Sequence, residues 1–322
     1  MAESWHGADR SLRHMAADAP SDATTPADVS AALEAHGYLP DRGLATAVHL
    51  ALQLHRPLLL EGDAGVGKTE VAKVLARWTG GPLVRLQCYE GLDVSQAVYE
   101  WDYSKQLLHL RAAEAAGVAA GSDVAALEDE LYDERFLVRR PLLQAVSPTD
   151  GPPPVLLIDE VDRADDEFEA FLLEVLSDFA VTVPEIGTFR AETPPVVVIT
   201  SNRTRDVHDA LKRRCLYHWV EHPEFAREVS IVRLRVPGVG ERLAAQVAAA
   251  TAHLREAGLY KPPGVAETID WAVALQVLGA EELDVETVDD SLGAVLKYRE
   301  DQSRVRSAGL DALVEAAARR SA

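Results

Sequence analysis

Residues Gly62, Asp63, Ala64, Gly65, Val66, Gly67, Lys68 and Thr69 follow the spacing G-x-x-x-x-G-K-[ST], and Glu70 comes next. Glycines at these places let backbone N–H groups turn inward around phosphate oxygens. Lys68 supplies charge to the outer phosphates, and the Thr69 hydroxyl is suited to hold Mg²⁺. A helix starting here adds the positive end of its dipole. A chance glycine turn is the plain alternative. The surroundings oppose it: "PLLLEG" reads as a short buried strand, and "TEVAKVLARWTGG" as a helix closed by Gly80 and Gly81. Gly62 to Glu70 are therefore the expected contacts of ATP, with Mg²⁺ at Thr69.

Two further strand tips carry polar chemistry. "PVLLIDEVDRADDEFEAFLLEVL" begins with an apolar strand ending in Asp159 and Glu160. Asp159 can order the magnesium through water, and Glu160 can orient and activate an attacking water. Acids at a strand end are otherwise merely solvated; beside a phosphate loop they form a pair with a task. "VVVITSN" ends in Thr200, Ser201 and Asn202. Strand tips of a parallel sheet converge at its carboxyl edge, so Asn202 can reach the γ-phosphate or the lytic water. "LKRRC" follows, with Lys212, Arg213 and Arg214. These cations suit a helix C-terminus through its dipole. They also suit an arginine finger that reaches a neighbouring subunit's nucleotide.

The elements that must position these groups are short all-apolar runs separated by helices: "LVRLQC", "VLLID" (155–159) and "VVVIT" (196–200), besides the strand at 58–60. Such runs indicate a parallel sheet covered on both faces, an α/β fold. Helical spacing of Leu44, Val48 and Leu52 places a helix before the first strand. Phe168, Phe171, Leu172, Val175, Leu176 and Phe179 are core residues of a helix after the acidic pair. After Pro223 the chain turns alanine-rich and helical. The expected organisation is a disordered tail over 1–30, a nucleotide-binding core over 31–222 and an all-α lid over 223–322. "YEGLDVSQAVYEWDYSKQLLHLR" reads as a polar-aromatic hairpin inserted in the core at about 88–111, and 121–146 reads as helical, ending at the loop "SPTDGPPP".

Bulk properties narrow the function classes. The 322 residues carry a formal charge of −20, which repels nucleic acid and anionic lipid. Two distant cysteines, Cys88 and Cys215, give no disulfide framework and suit a reducing compartment. No run reaches the ~20 apolar residues that span a bilayer, and the first thirty residues lack an apolar signal core. A cytoplasmic protein without a membrane span is expected.

Some signals have bland readings beside sharper ones. Cys215, His218 and His222 are spaced C-x-x-H-x-x-x-H, a set zinc or copper would accept. "CLYHWV" reads as a strand, however, which points Cys215 and His218 to opposite faces. Cys88 reads as a small buried residue. Trp101 and Tyr103 are either cross-strand packing or an exposed pair that grips a client. The acidic runs "LEDELYDER" and "AEELDVETVDD" read as solvated helix faces and turns.

Taken together these stretches resemble the AAA+ ATPases, and among them the MoxR family, from about Leu44 to Lys297. The carriers are "LLLEGDAGVGKT", "RLQCYEGLDVSQAVYEW", "LLIDEVDRADDEFEAFLLEVLSDF", "VPEIGTFRAETPPVVVITSN" and "DALKRRCLYHW". "ALKRRCLYHW" and "KPPGVAETIDWA" are similar to the subgroup associated with carbon monoxide dehydrogenase and related molybdenum hydroxylases. The resemblance implies a P-loop AAA+ αβα core, a helical lid and a ring, usually a hexamer. By position it makes Lys68 and Thr69 the phosphate-loop pair, Asp159 and Glu160 the acidic pair, Asn202 the first sensor, and Arg214, or next to it Arg213, the finger. The implied work is Mg-dependent ATP hydrolysis that remodels a metalloenzyme client, helped by a von Willebrand factor A-domain protein. An ATP-regulated binding module is the alternative, and a DNA-directed motor is disfavoured by the acidic charge. Where relatives carry a second-sensor arginine in G-A-S-P-R-A, this chain reads "GVAETIDWA", with Thr268 near that place and Lys261 upstream.

Overall fold

The computed structural model describes residues 24–115 and 130–321. Most of the segment read as a disordered tail, and the part of the 121–146 reading up to residue 129, lie outside the described residues. Where the tail reading is described, at residues 24–30, it is corrected. Helix α1 (Pro26–Ala35) starts inside that stretch, with Thr25 and Asp28 forming a reciprocal capping box and Pro26 in its first turn. Val29 and Leu33 are buried, so apolar anchorage adds to the cap.

Helix α2 (Arg42–Leu54), capped by the Asp41 side chain, precedes strand β1 (Leu58–Glu61). The phosphate loop leads into α3 (Lys68–Thr79), which ends on left-handed Gly80 with its N–H on Ala76 O. Strand β2 (Leu83–Gln87) comes next. The insert then departs from the expected hairpin. It forms a short helix α4 (Val94–Val98), strand β3 (Tyr99–Trp101) and helix α5 (Tyr103–Ala115). The partner of β3 is distant in sequence: β4 (Leu137–Arg139), antiparallel, with Trp101 opposite Leu137. Residues 134–146, read as helix, split into a 3₁₀ turn, β4 and a short helix α6 (Pro141–Val146), because Pro141 starts a new helix.

Strand β5 (Val155–Asp159), helix α7 (Asp166–Asp178), the hairpin β6 (Ala180–Val183) and β7 (Gly187–Arg190), strand β8 (Val196–Ser201), helix α8 (Asp209–Arg214) and strand β9 (Leu216–Trp219) complete the core. Five strands pair in parallel in the order β2-β5-β8-β1-β9. Side chains alternate across this sheet. Leu58 and Leu60 pack with α2 and α3 residues such as Val48 and Val71. Leu59 packs on the other face with Leu143 and Phe168. Burial on both faces explains why the central strands β1, β5 and β8 are almost wholly apolar, while the edge strands β2 and β9 carry polar residues.

Helices α9 (Phe225–Arg235), α10 (Glu241–Glu256), α11 (Val265–Val277), α12 (Val285–Val295), α13 (Arg299–Ala308) and α14 (Leu310–Ser321) follow β9. They enclose a separate apolar core around Trp271, whose indole N–H donates to Ser291 Oγ at 2.7 Å. Among the described residues no helix is long and apolar enough to cross a membrane.

Candidate active site

Sheet order explains the convergence of the site. The β1 tip lies beside β8, and β8 beside β5, so the phosphate loop, Asn202 and the acidic pair meet at one edge. Gly65 and Gly67 have φ of +81° and +97°, conformations that only glycine adopts freely. Lys68 Nζ donates to the carbonyls of Gly62 and Asp63, each at 2.7 Å. Burial lowers the lysine's pKa, against the attraction of Asp162, Asp63, Asp159 and Glu160. A buried ammonium satisfied only by loop carbonyls is suited to receive a phosphate anion.

Thr69 Oγ1 donates to Asp159 Oδ1 at 3.0 Å, so the two magnesium-site residues touch. Thr200 Oγ1 donates to the same oxygen at 2.6 Å and accepts the Glu160 N–H at 2.9 Å. Arg85 of β2 holds Asp159 Oδ2 through Nη2 at 2.6 Å. Glu160 sits at a left-handed φ of 56°, unusual for a residue with a side chain. Its carboxylate accepts Asn202 Nδ2 at 3.1 Å on Oε1 and Gln87 Nε2 at 3.2 Å on Oε2. Arg163 Nε approaches Oε2 at 2.8 Å. The buried Asp162 accepts the backbone N–H groups of Asn202 and Thr204, fixing the turn that presents Asn202.

A cavity of about 360 Å³ runs from this edge to the lid. Its inner end holds Ala64 to Thr69, Asp159, Glu160 and Asn202; its outer end is walled by Tyr38, Leu39, Ile231, Leu234 and Ile269. The charged end suits phosphates and the apolar end a nucleobase. Thr69 with Asp159 would hold Mg²⁺, a hard cation that accepts one hydroxyl and one carboxylate among its oxygen ligands.

The lid rests on the loop itself. Ala266 N–H donates to Gly65 O at 3.1 Å. A Cβ on Gly264 would come within 2.8 Å of Ala64 O, so the two backbones are in direct contact. Thr268 is buried and donates to Glu228 Oε1 at 2.8 Å, and Arg255 grips that carboxylate through both its terminal nitrogens. The place of the second-sensor arginine is thus filled by an internal lid network. Lys261 is exposed and does not line the cavity; its N–H donates to Asp301 Oδ2 at 3.0 Å.

The two finger candidates differ. Arg214 Nη1 donates to Leu173 O at 2.5 Å and to Ser177 Oγ, within its own chain. The Arg213 side chain is exposed. Arg56 donates to the carbonyls of Arg213 and Arg214 at 2.9 and 3.1 Å, clamping the end of α8. His218 and His222 turn to different acids, Asp41 and Asp63, each at 3.4 Å, and no group of three potential metal ligands occurs among the described residues. Trp101 is a core residue, 6% exposed, while Tyr103 is 69% exposed, so the two do not form one exposed pair.

Sequence reading missed Arg85, Gln87, Asp162 and Arg163. Arg85 and Gln87 are identifiable only once β2 is known to neighbour β5. Asp162 and Arg163 lie within the quoted stretch after β5 but carry no reading there.

A parallel sheet in this order, with a phosphate loop after β1, an acidic pair after β5 and a helical lid, is the AAA+ α/β architecture. Residues 57–215 match the AAA domain of the dynein-related subfamily. The chain carries an AAA-type ATPase domain, with ATP as substrate and Mg²⁺ as its ion. Among solved structures it is similar to a lysine-to-arginine variant of RuvB from Thermotoga maritima, at 16% identity, TM-score 0.43, over 78% of this chain and 67% of that one. It is likewise similar to a presumed ATPase from Cytophaga hutchinsonii, at 12% identity, TM-score 0.47, over 97% of both chains.

Proposed function

We propose that ATP hydrolysis at this site drives the remodelling of a protein client, the maturation of a metal centre in an enzyme of the molybdenum hydroxylase or carbon monoxide dehydrogenase type. The observation that carries the hydrolytic half is Glu160, held at the cavity beside Asn202 and Asp159. The client half is supported by the MoxR-like stretches of the sequence and by a charge of −20, which disfavours a nucleic-acid track. A von Willebrand factor A-domain protein is the proposed partner on the same grounds.

In this mechanism Lys68 leaves the loop carbonyls for the outer phosphates, and the loop N–H groups cradle the others. Thr69 and Asp159 would hold Mg²⁺, which would supply charge neutralisation at the phosphoryl oxygens. Glu160 accepts the proton of the attacking water. Gln87 and Arg163 both occupy its Oε2, so they must release that oxygen before it can take a proton. Asn202 orients the water. Arg213, exposed and on a clamped helix end, is the better finger across a ring interface; Arg214 is already engaged. A ring, hexameric by resemblance, follows from that assignment.

A pull-down with Glu160→Gln in ATP tests the reading. An apo-metalloenzyme and a von Willebrand factor A-domain protein are expected to be retained by ATP and released in ADP. Retention of nucleic acid instead, or of no protein, overturns it.

A further inference from the structure

One lid cation stands on a carboxylate of the phosphate-loop helix. Arg235 closes α9, and its Nη1 donates to Glu70 Oε1 at 3.1 Å. Glu70 follows Thr69 directly. Its carboxylate also accepts Arg77 Nη2 at 3.1 Å and lies 3.4 Å from Lys73 Nζ. Three cations therefore share one carboxylate, and Glu70, Lys73 and Arg235 all line the nucleotide cavity.

The position of this cluster along a nucleotide follows from its neighbours. Lys68, Thr69 and the acidic pair define the β- and γ-phosphate end. Tyr38, Ile231 and Leu234 belong to the apolar base end. Glu70 adjoins Thr69 in the chain and Arg235 adjoins Leu234, so the ion pair lies between the two ends. A nucleotide with its outer phosphates at Lys68 and its base at the apolar end would bring its α-phosphate to that interval.

We propose that Arg235 is a lid-borne ligand of the nucleotide α-phosphate, which it takes in exchange for Glu70. The proposal rests on the reading of this cavity as an ATP site. The exchange is inexpensive because Glu70 keeps Lys73 and Arg77 after Arg235 departs. A guanidinium matches a phosphate as well as it matches a carboxylate. Other lid cations are less suited: Arg255 is locked on Glu228, and Arg227 lies 3.9 Å from Asp41 near the base end. Beside its backbone contact with Gly65, the lid is thus tied to the core through Glu70 when the cavity is empty and through substrate when it is filled.

The test measures binding of ATP, ADP and adenosine to the parent, Arg235→Ala, Arg235→Lys and Glu70→Gln, with Lys68→Ala beside them and melting temperatures for each. Arg235→Ala is expected to weaken ATP and ADP alike by about 10- to 100-fold, the worth of a charge-assisted hydrogen bond, and to leave adenosine unchanged. Arg235→Lys recovers part of the loss. Glu70→Gln shifts the other way, because it frees Arg235 and removes a negative charge from beside the phosphates. Parent-like ATP and ADP affinity in Arg235→Ala overturns the proposal. So does equal weakening by Arg235→Ala and Glu70→Gln, which describes a mere strap between lid and core. If Arg235→Ala does not fold, the direction of the Glu70→Gln shift decides. Undiminished ATP binding by Lys68→Ala would instead mean that the cavity is not the nucleotide site.

Discussion

At the scale of single residues, Glu160 combines a strained backbone with a side chain held by three donors. A left-handed φ of 56° costs energy that only the surrounding structure compensates, here through Thr200 on its N–H. Glu160→Gln keeps that shape and removes the base. Steady-state assays should find hydrolysis slowed by about 10²–10⁴-fold with ATP affinity retained. Unchanged turnover would move water activation to another group. The two thiols offer an independent check on the fold. Burial pushes Cys88 and Cys215 up to about 12 from 9.0. Both should stay inert to thiol reagents at pH 8 in the native protein and react on unfolding. The native state keeps protons that the unfolded chain releases above pH 9. Stability should therefore fall between pH 9 and 12, by about 1.4 kcal/mol per pH unit for each thiol. Rapid native labelling at pH 8 would contradict this burial.

At the scale of elements, the insert after β2 shows what pattern reading recovers and what it loses. The phosphate loop, β5 and β8 were legible because their chemistry is local: glycine spacing, apolar runs, acids at a strand tip. The insert was not, since β3 pairs with β4 across more than thirty residues, and no local period announces that. Trp101 and Tyr103 are two apart and read as a pair, yet the chain leaves β3 between them and enters α5. Tertiary packing decided their fates. Melting experiments should therefore separate them: Trp101→Ala is expected to cost about 3–5 kcal/mol as a core truncation, and Tyr103→Ala within about 0.5 kcal/mol of nothing. Equal, small effects would place Trp101 outside the core. The same limit explains Arg85 and Gln87, whose relation to Asp159 and Glu160 exists only through strand order. The start of α1 was lost for another reason: Thr25, Pro26 and Asp28 form a valid cap, but they sit in a polar stretch whose composition resembles a tail.

At the scale of the whole molecule, the assignment of Arg213 requires two copies of the chain to make one working site. Arg213→Ala is expected to bind ATP normally and to lose hydrolysis. Mixed with Lys68→Ala, which carries an intact finger but a dead pocket, it should recover part of the activity. Binding energy lost by Lys68→Ala should be about 2–5 kcal/mol, as for a buried charge contact. Recovery with Arg214→Ala in place of Arg213→Ala would shift the finger by one residue, and no recovery with either would make this helix end structural.

The meeting of Gly264 with the phosphate loop has a consequence for timing. Because the joint is backbone on backbone, no side chain there can bend aside, and the loop opens only as fast as the lid lifts. The amide of Ala266, bonded to Gly65 O, is then a clock for nucleotide entry and product escape. Its proton should exchange with solvent deuterium at the rate of lid lifting and become slower when ATP is added. Gly264 has no unusual φ, so Gly264→Ala adds bulk without backbone strain. That one methyl group should quicken Ala266 exchange and ADP release together while the lid core around Trp271 remains protected. Quickened ADP release with unaltered exchange at Ala266 would uncouple the two and leave the exit route elsewhere.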